Sequence, residues 1–217
     1  GTISGATYVN GVGAAVAQTS VIDWNKGVNL QINSEDFTQS NWTTEDLSVT
    51  ANATTAPNGQ GNAAKIIANT TNIDHVIFDS ITNGNYVHSV FAKAGEYDYI
   101  FLGKNNNIAS EGVFFDLVNG TINQNTSTLS ATIESVSGAD GWYRCSVIGN
   151  MTYPIIALSE NGTSFVFAGN NSSGVYIWGA SMISGTTAGP YVRTGATAQT
   201  TPVLLPAGLT TGRDITG

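Results

Sequence analysis

The stretch GVYIWGASMIS, Gly174–Ser184, has no charged residue and is dominated by strand-forming side chains. Side chains alternate across an extended chain, so Val175, Ile177, Gly179 and Ser181 fall opposite Tyr176, Trp178, Ala180 and Met182. It reads as a long closing strand, and period two recurs upstream. DHVIFDSIT sets Val76 and Phe78 against His75, Ile77 and Ile81. YVHSVFAKAG sets Val87 and Phe91 against Tyr86, His88 and Val90, and EYDYIFLGK sets Tyr97, Tyr99 and Phe101 against Ile100 and Leu102. VNLQIN alternates Val28, Leu30 and Ile32 with polar residues, as a half-buried strand does. Asn119-Gly120 sits between apolar stretches, where a type I′ hairpin turn is expected. Further turns are expected at Gly138–Gly141 and Asn161-Gly162. About ten strands with short connections and almost no helix predict an all-β antiparallel sandwich.

The ends of the chain read differently. Residues 1–27 are rich in Gly and Ala and predict an extended arm with one or two short strands; GAAVAQ is its only faintly helical piece. The sandwich is expected over 28–193, and 194–217, with PVLLPAGLTTGRDITG, as a linker or docking tail.

Of 217 residues only 10% are charged, so the polar surface is made of Asn, Thr, Ser and Gly. The net charge of −8 repels polyanions and argues against nucleic-acid binding. No apolar run approaches the ~18 residues that span a bilayer, so no membrane insertion is expected. No charged and then apolar leader opens the sequence. Cys145 is the single cysteine and, alternating with Tyr143 and Val147, reads as a buried strand residue. The nine Asn-X-Ser/Thr triplets follow from the composition.

Chemistry-bearing patterns are sparse. His75 and His88 lie in strand patterns without a third ligand at metal spacing. No Gly-X-Ser-X-Gly elbow, phosphate loop, dinucleotide fingerprint or His-Glu-X-X-His is present. Glu35-Asp36 and Glu45-Asp46 are neighbours whose side chains diverge on a strand, so neither is a ready acid pair for glycoside hydrolysis. Glu35 and Asp36 have two readings: turn carboxylates that accept backbone N–H bonds, or ligands of a structural calcium ion. Aromatic side chains beside amides and carboxylates are the chemistry of sugar binding. Tyr97, Asp98 and Tyr99, with Trp42 and Tyr153, are the candidate glycan platform, Trp24 is a further aromatic, and Trp142 and Trp178 read as core.

Several segments, in order, resemble the jelly-roll module of bacteriophage virion surface proteins, which is similar to carbohydrate-binding domains. They are NLQINSEDFTQSNW, TANATTAPNGQGNAAKI, YVHSVFAKAGEYDYIFL, FFDLVNGTI, GADGWYRCSV and GVYIWGASMISGTTAGPYVRTGATAQT, covering most of residues 29–199. Asn58 departs from the pattern, which commonly has an acid there. The arm ATYVNGVGAAV…VIDW resembles the lead-in to that module. The resemblance implies a jelly-roll sandwich on a virion surface, as tail fibre, head fibre or capsid decoration. It implies other virion proteins as partners, a homotrimer, and a host surface glycan as ligand. A stand-alone carbohydrate-binding module of a larger protein is the alternative, and a polysaccharide depolymerase a further one.

Overall fold

The computed structural model describes residues 7–9, 15–17, 28–104 and 111–200, and every sheet in it is antiparallel. The first large sheet runs β12 (Thr121–Asn125), β11 (Gly112–Asp116), β10 (Tyr99–Gly103), β15 (Ile155–Ser159), β8 (Val76–Phe78), β4 (Thr43–Glu45). The second runs β13 (Ser130–Ser135), β14 (Trp142–Met151), β9 (Gly84–Lys93), β17 (Gly174–Ser184), β6 (Ala63–Ala68), β5 (Leu47–Thr54). Three strand pairs flank them: β1 (Thr7–Val9) with β2 (Ala15–Ala17), β7 (Asn72–Asp74) with β16 (Val166–Ala168), and β3 (Val28–Asn29) with β18 (Gln199–Thr200).

From β6 onward the chain crosses between sheets in a fixed rhythm: β6, β8, β9, β10 and β11, β14, β15, β17. The resulting neighbours, β14-β9-β17-β6 facing β11-β10-β15-β8, are the two interlocked Greek keys of a jelly roll. The expected fold is therefore the observed one.

Between the sheets lie Ile77, Ile100, Leu102, Val113, Phe115, Ile156 and Leu158 from one side. Val90, Ala92, Cys145, Val147, Val175, Ile177 and Met182 meet them from the other. Fully burying a side chain such as Leu or Phe stabilises by roughly 1.5–3 kcal/mol before entropy is counted. Both sheets are also covered outside. Val76, Phe78, Phe101, Phe114 and Ile155 form a cluster with Phe165 on the outer face of the first. Trp142, Trp178 and Ala63 pack with Phe91, Tyr176 and Tyr191 on the outer face of the second. Phe101 reaches across two glycines of its sheet; a Cβ at Gly112 would collide with its ring.

Five local expectations are corrected. In β17 the alternation breaks after Trp178, where two residues oppose one on β9 and Gly179 takes φ +62°. This bulge turns Ala180 and Met182 inward, onto the face already held by Val175 and Ile177. Tyr97 does not share a face with Tyr99 and Phe101: β10 begins only at Tyr99, and the Tyr97 ring packs inward, 5.2 Å from Phe167. In VNLQIN the polar residues are the buried ones, Asn29 at 0% and Gln31 at 1% exposure, and Leu30 is 38% exposed. The β11–β12 turn has four residues, Leu117 to Gly120, with only Gly120 at positive φ, because Asp116 accepts from the N–H groups of Val118 and Asn119. Within GAAVAQ, Ala15–Ala17 is strand and not helix, paired to Thr7–Val9. Trp24 and most of the arm and tail lie outside the described residues.

Candidate functional site

The polar residues buried at the start of the sandwich form a clasp. The Asn29 side chain accepts from the N–H of Gln31 and Met182 and donates to the carbonyls of Ala180 and Val192. Backbone bonds from Leu30 to Met182 and from Ala180 to Ser34 lay this segment along β17, beyond the point where β6 departs. Thr194 closes the other side: its hydroxyl donates to the Gln31 carbonyl, and its N–H donates to Ser34 Oγ at 2.9 Å. Thr194 is 4% exposed, so packing runs past the expected boundary at 193. Side-chain amides and hydroxyls do here what a strand ladder does elsewhere, which is why polar residues are buried.

The clasp ends at a cleft of about 240 Å³ lined by Glu35 to Thr38, Ala51, Asn52, Asn62, Ala64 and Arg193. Three groups fix the Glu35 carboxylate: Asn62 Nδ2 at 3.1 Å, Tyr191 Oη at 3.2 Å and Arg193 Nε at 3.2 Å. Burial pushes the Tyr191 phenol pKa up, so it stays a neutral donor. The Arg193 side chain is 76% exposed and offers its remaining N–H groups outward. The opposite wall is a bulge in β5, where three residues between Thr50 and Thr54 oppose one on β6 and Asn52 takes φ +55°. Non-glycine residues in that region are uncommon and concentrate at functional sites. Phe37 is buried against Trp42, with ring centroids 4.9 Å apart.

Asp36 is a turn residue. It accepts from the N–H and hydroxyl of Thr38 and from Gln39 Nε2 at 2.7 Å. The Thr38 hydroxyl first, then Gln39, lowers its pKa. Both carboxylates considered for calcium thus have protein partners. No group of three or more His, Cys, Asp or Glu side chains suited to a metal ion comes together among the described residues.

The other sequence candidates are scattered. Trp42 is a plug, 7% exposed, with Nε1 donating to the Asn33 carbonyl. Tyr97 is interior and Asp98 is exposed. Tyr99 is half-buried at the start of β10, opposite Asp116 and Ser159. Tyr153 is 37% exposed at the far end of that strand, edge-on to Phe78, with its N–H on the Lys104 carbonyl. The structure brings Glu35 and Asp36 together in one cleft and assembles no aromatic platform from the rest. Asn52, Asn62, Tyr191 and Arg193 escaped sequence reading because only the strand topology joins positions so far apart.

No protein-family model matches the chain, and no curated protein matches it.

Proposed function

We propose that the chain is a non-catalytic display module on the surface of a bacteriophage virion, held to other virion proteins by the segments that flank the sandwich. The sequence resemblance motivates this reading, and one geometric observation carries it. β3 and β18 pair with Val28 opposite Thr200, so the chain enters and leaves the sandwich at one point. A body tethered at one point presents its remaining surface outward. Immunogold electron microscopy on intact particles tests this, with an antibody against the folded sandwich. Surface label is expected, and label only after particles are disrupted would refute the reading. Deleting residues 1–27 should abolish particle association while circular dichroism still reports the sandwich. The assembly is a homotrimer in this reading; light scattering that gives a monomer at micromolar concentration would contradict that part.

A second reading is favoured by the cleft: the module binds a neutral glycan unit there. A fixed carboxylate, an outward guanidinium and a raised amide suit hydroxyl groups, which donate and accept at once. Ala51, exposed on the bulge, adds apolar lining for a sugar's C–H face. NMR titration of the full chain with glucose, galactose, mannose and N-acetylglucosamine tests it. Shifts centred on Asn52, Asn62 and Arg193, abolished by Arg193→Ala, are expected. Shifts elsewhere, or none at millimolar sugar, would end this reading and leave the display reading standing.

A further inference from the structure

We propose that Asn83 is a site of spontaneous modification, converting to aspartate and isoaspartate in the folded protein, while the other described Asn-Gly asparagines are protected. The reaction needs only water. The Gly84 backbone nitrogen attacks the Asn83 side-chain carbonyl carbon, a C–N bond forms, and the side-chain nitrogen leaves as ammonia with the proton from the Gly84 N–H. Water then opens the resulting succinimide at either carbonyl. Opening at one gives aspartate; opening at the other gives isoaspartate, with the main chain routed through the side-chain carbon.

Attack requires a side chain free to swing over the next nitrogen and an N–H free to turn. Three Asn-Gly pairs fail both conditions. At Asn58 the side-chain oxygen accepts from Gln60 N–H at 2.9 Å, and Gly59 N–H donates to the Ala56 carbonyl at 2.9 Å. At Asn119 the amide donates to Asp116 Oδ2 at 2.8 Å, and Gly120 N–H donates to the Asp116 carbonyl at 3.0 Å. At Asn161 the side-chain oxygen accepts from the N–H groups of Thr163 and Ser164 at 2.9 Å each, and Gly162 N–H donates to Ser159 Oγ at 3.0 Å. Asn10-Gly11 lies outside the described residues.

Asn83 differs from all three. It is exposed, and its side chain has no hydrogen-bond partner among the described residues. Gly84 is not tied into a turn; only the last rung between β9 and β14, opposite Met151, holds it, and ladders fray at their ends. Packing keeps a glycine at this position. The Tyr86 ring folds back so that its hydroxyl donates to the Thr82 carbonyl at 2.9 Å, and a Cβ at Gly84 would lie 2.9 Å from that ring. The residue after Asn83 therefore has no side chain to hinder the attack. The product places a new carboxylate at the entry to β9, beside the Gly185 N–H bond to the Asn85 carbonyl.

The test incubates the full chain at mildly alkaline pH, native and in denaturant, and follows each Asn-Gly peptide by mass spectrometry for replacement of NH₂ by OH. In denaturant all four sites should react at similar rates. In the native chain Asn83 should react faster than Asn58, Asn119 and Asn161 by about tenfold or more, equivalent to about 1.4 kcal/mol of barrier. Isoaspartyl methyltransferase should label the native peptide carrying position 83, and Asn83→Gln should abolish that label. Equal protection at all four sites, faster reaction at any of the other three, or label surviving in N83Q would overturn the proposal.

Discussion

His88 occupies the inward face of β9, opposite Val147 on β14 and Met182 on β17, with Nδ1 unpartnered. Burial disfavours the imidazolium and lowers its pKa from 6.5 to about 4. The unfolded chain therefore takes up a proton that the folded chain refuses between pH 6.5 and about 4. The stability this neutral residue contributes is complete above pH 6.5 and falls as acid is added, by at most about 1.4 kcal/mol per pH unit and about 3 kcal/mol in all. Urea titrations across that range should show the slope, and His88→Phe should flatten it. Below that window Asp36 and Asp116, whose pKa values are lowered, add a further loss as they protonate. Asn29 makes the complementary case. Asn29→Leu conserves size but strands two carbonyls and two N–H groups, and should cost about 3 kcal/mol or more in denaturant titrations. Cys145 is fully buried, and burial pushes its thiol pKa up, so a thiol reagent should react only at the rate of unfolding.

At the scale of single strands, two bulges decide which side chains go where. Gly179→Ala would force an L side chain to φ +62° and set a Cβ 3.0 Å from the Phe91 ring. The backbone term alone is about 1–2 kcal/mol, and near-ultraviolet circular dichroism should register the disturbed Phe91–Trp178–Tyr191 cluster. Asn52 separates local strain from function: Asn52→Gly should leave the denaturation midpoint unchanged or raised, and Asn52→Ala should lower stability by about 1 kcal/mol. The sequence could not reveal either bulge, since each rests on pairing with a distant strand. Period two was legible in β8, β9, β10 and the first half of β17. It misled at VNLQIN because alternation was read there as apolar-in, whereas Asn29 and Gln31 point into the clasp and replace a backbone ladder. Tyr97 misled for a related reason: the chain bends at Gly95 and Glu96 and the strand starts only at Tyr99, and alternation holds only inside a strand.

For the molecule as a whole, the central strands of both sheets are covered on both faces, and this explains why runs such as YIFLG and GVFFD lack a polar side. The fold class was legible because that much apolar strand, cut by turns, has few other ways to bury itself. The cleft was not, because its walls come from the first and last segments of the body and from a bulge on β5. Hydrogen exchange should be slowest along β9, β14 and β17, the long inner strands of the second sheet, and fastest along β12, whose residues are all exposed. The meeting of entry and exit also sets how the body answers tension. β3 and β18 run antiparallel with Val28 and Thr200 at the open end, so a pull on the two flanking segments loads their rungs in succession, as a zip opens, and not all together. The clasp, in which Asn29 holds Ala180, Met182 and Val192 and Thr194 holds Gln31 and Ser34, would be met next, and the jelly-roll strands only after it gave way. Optical-tweezer traces should therefore show a small, low-force lengthening ahead of the main rip, and Asn29→Leu should erase that first step.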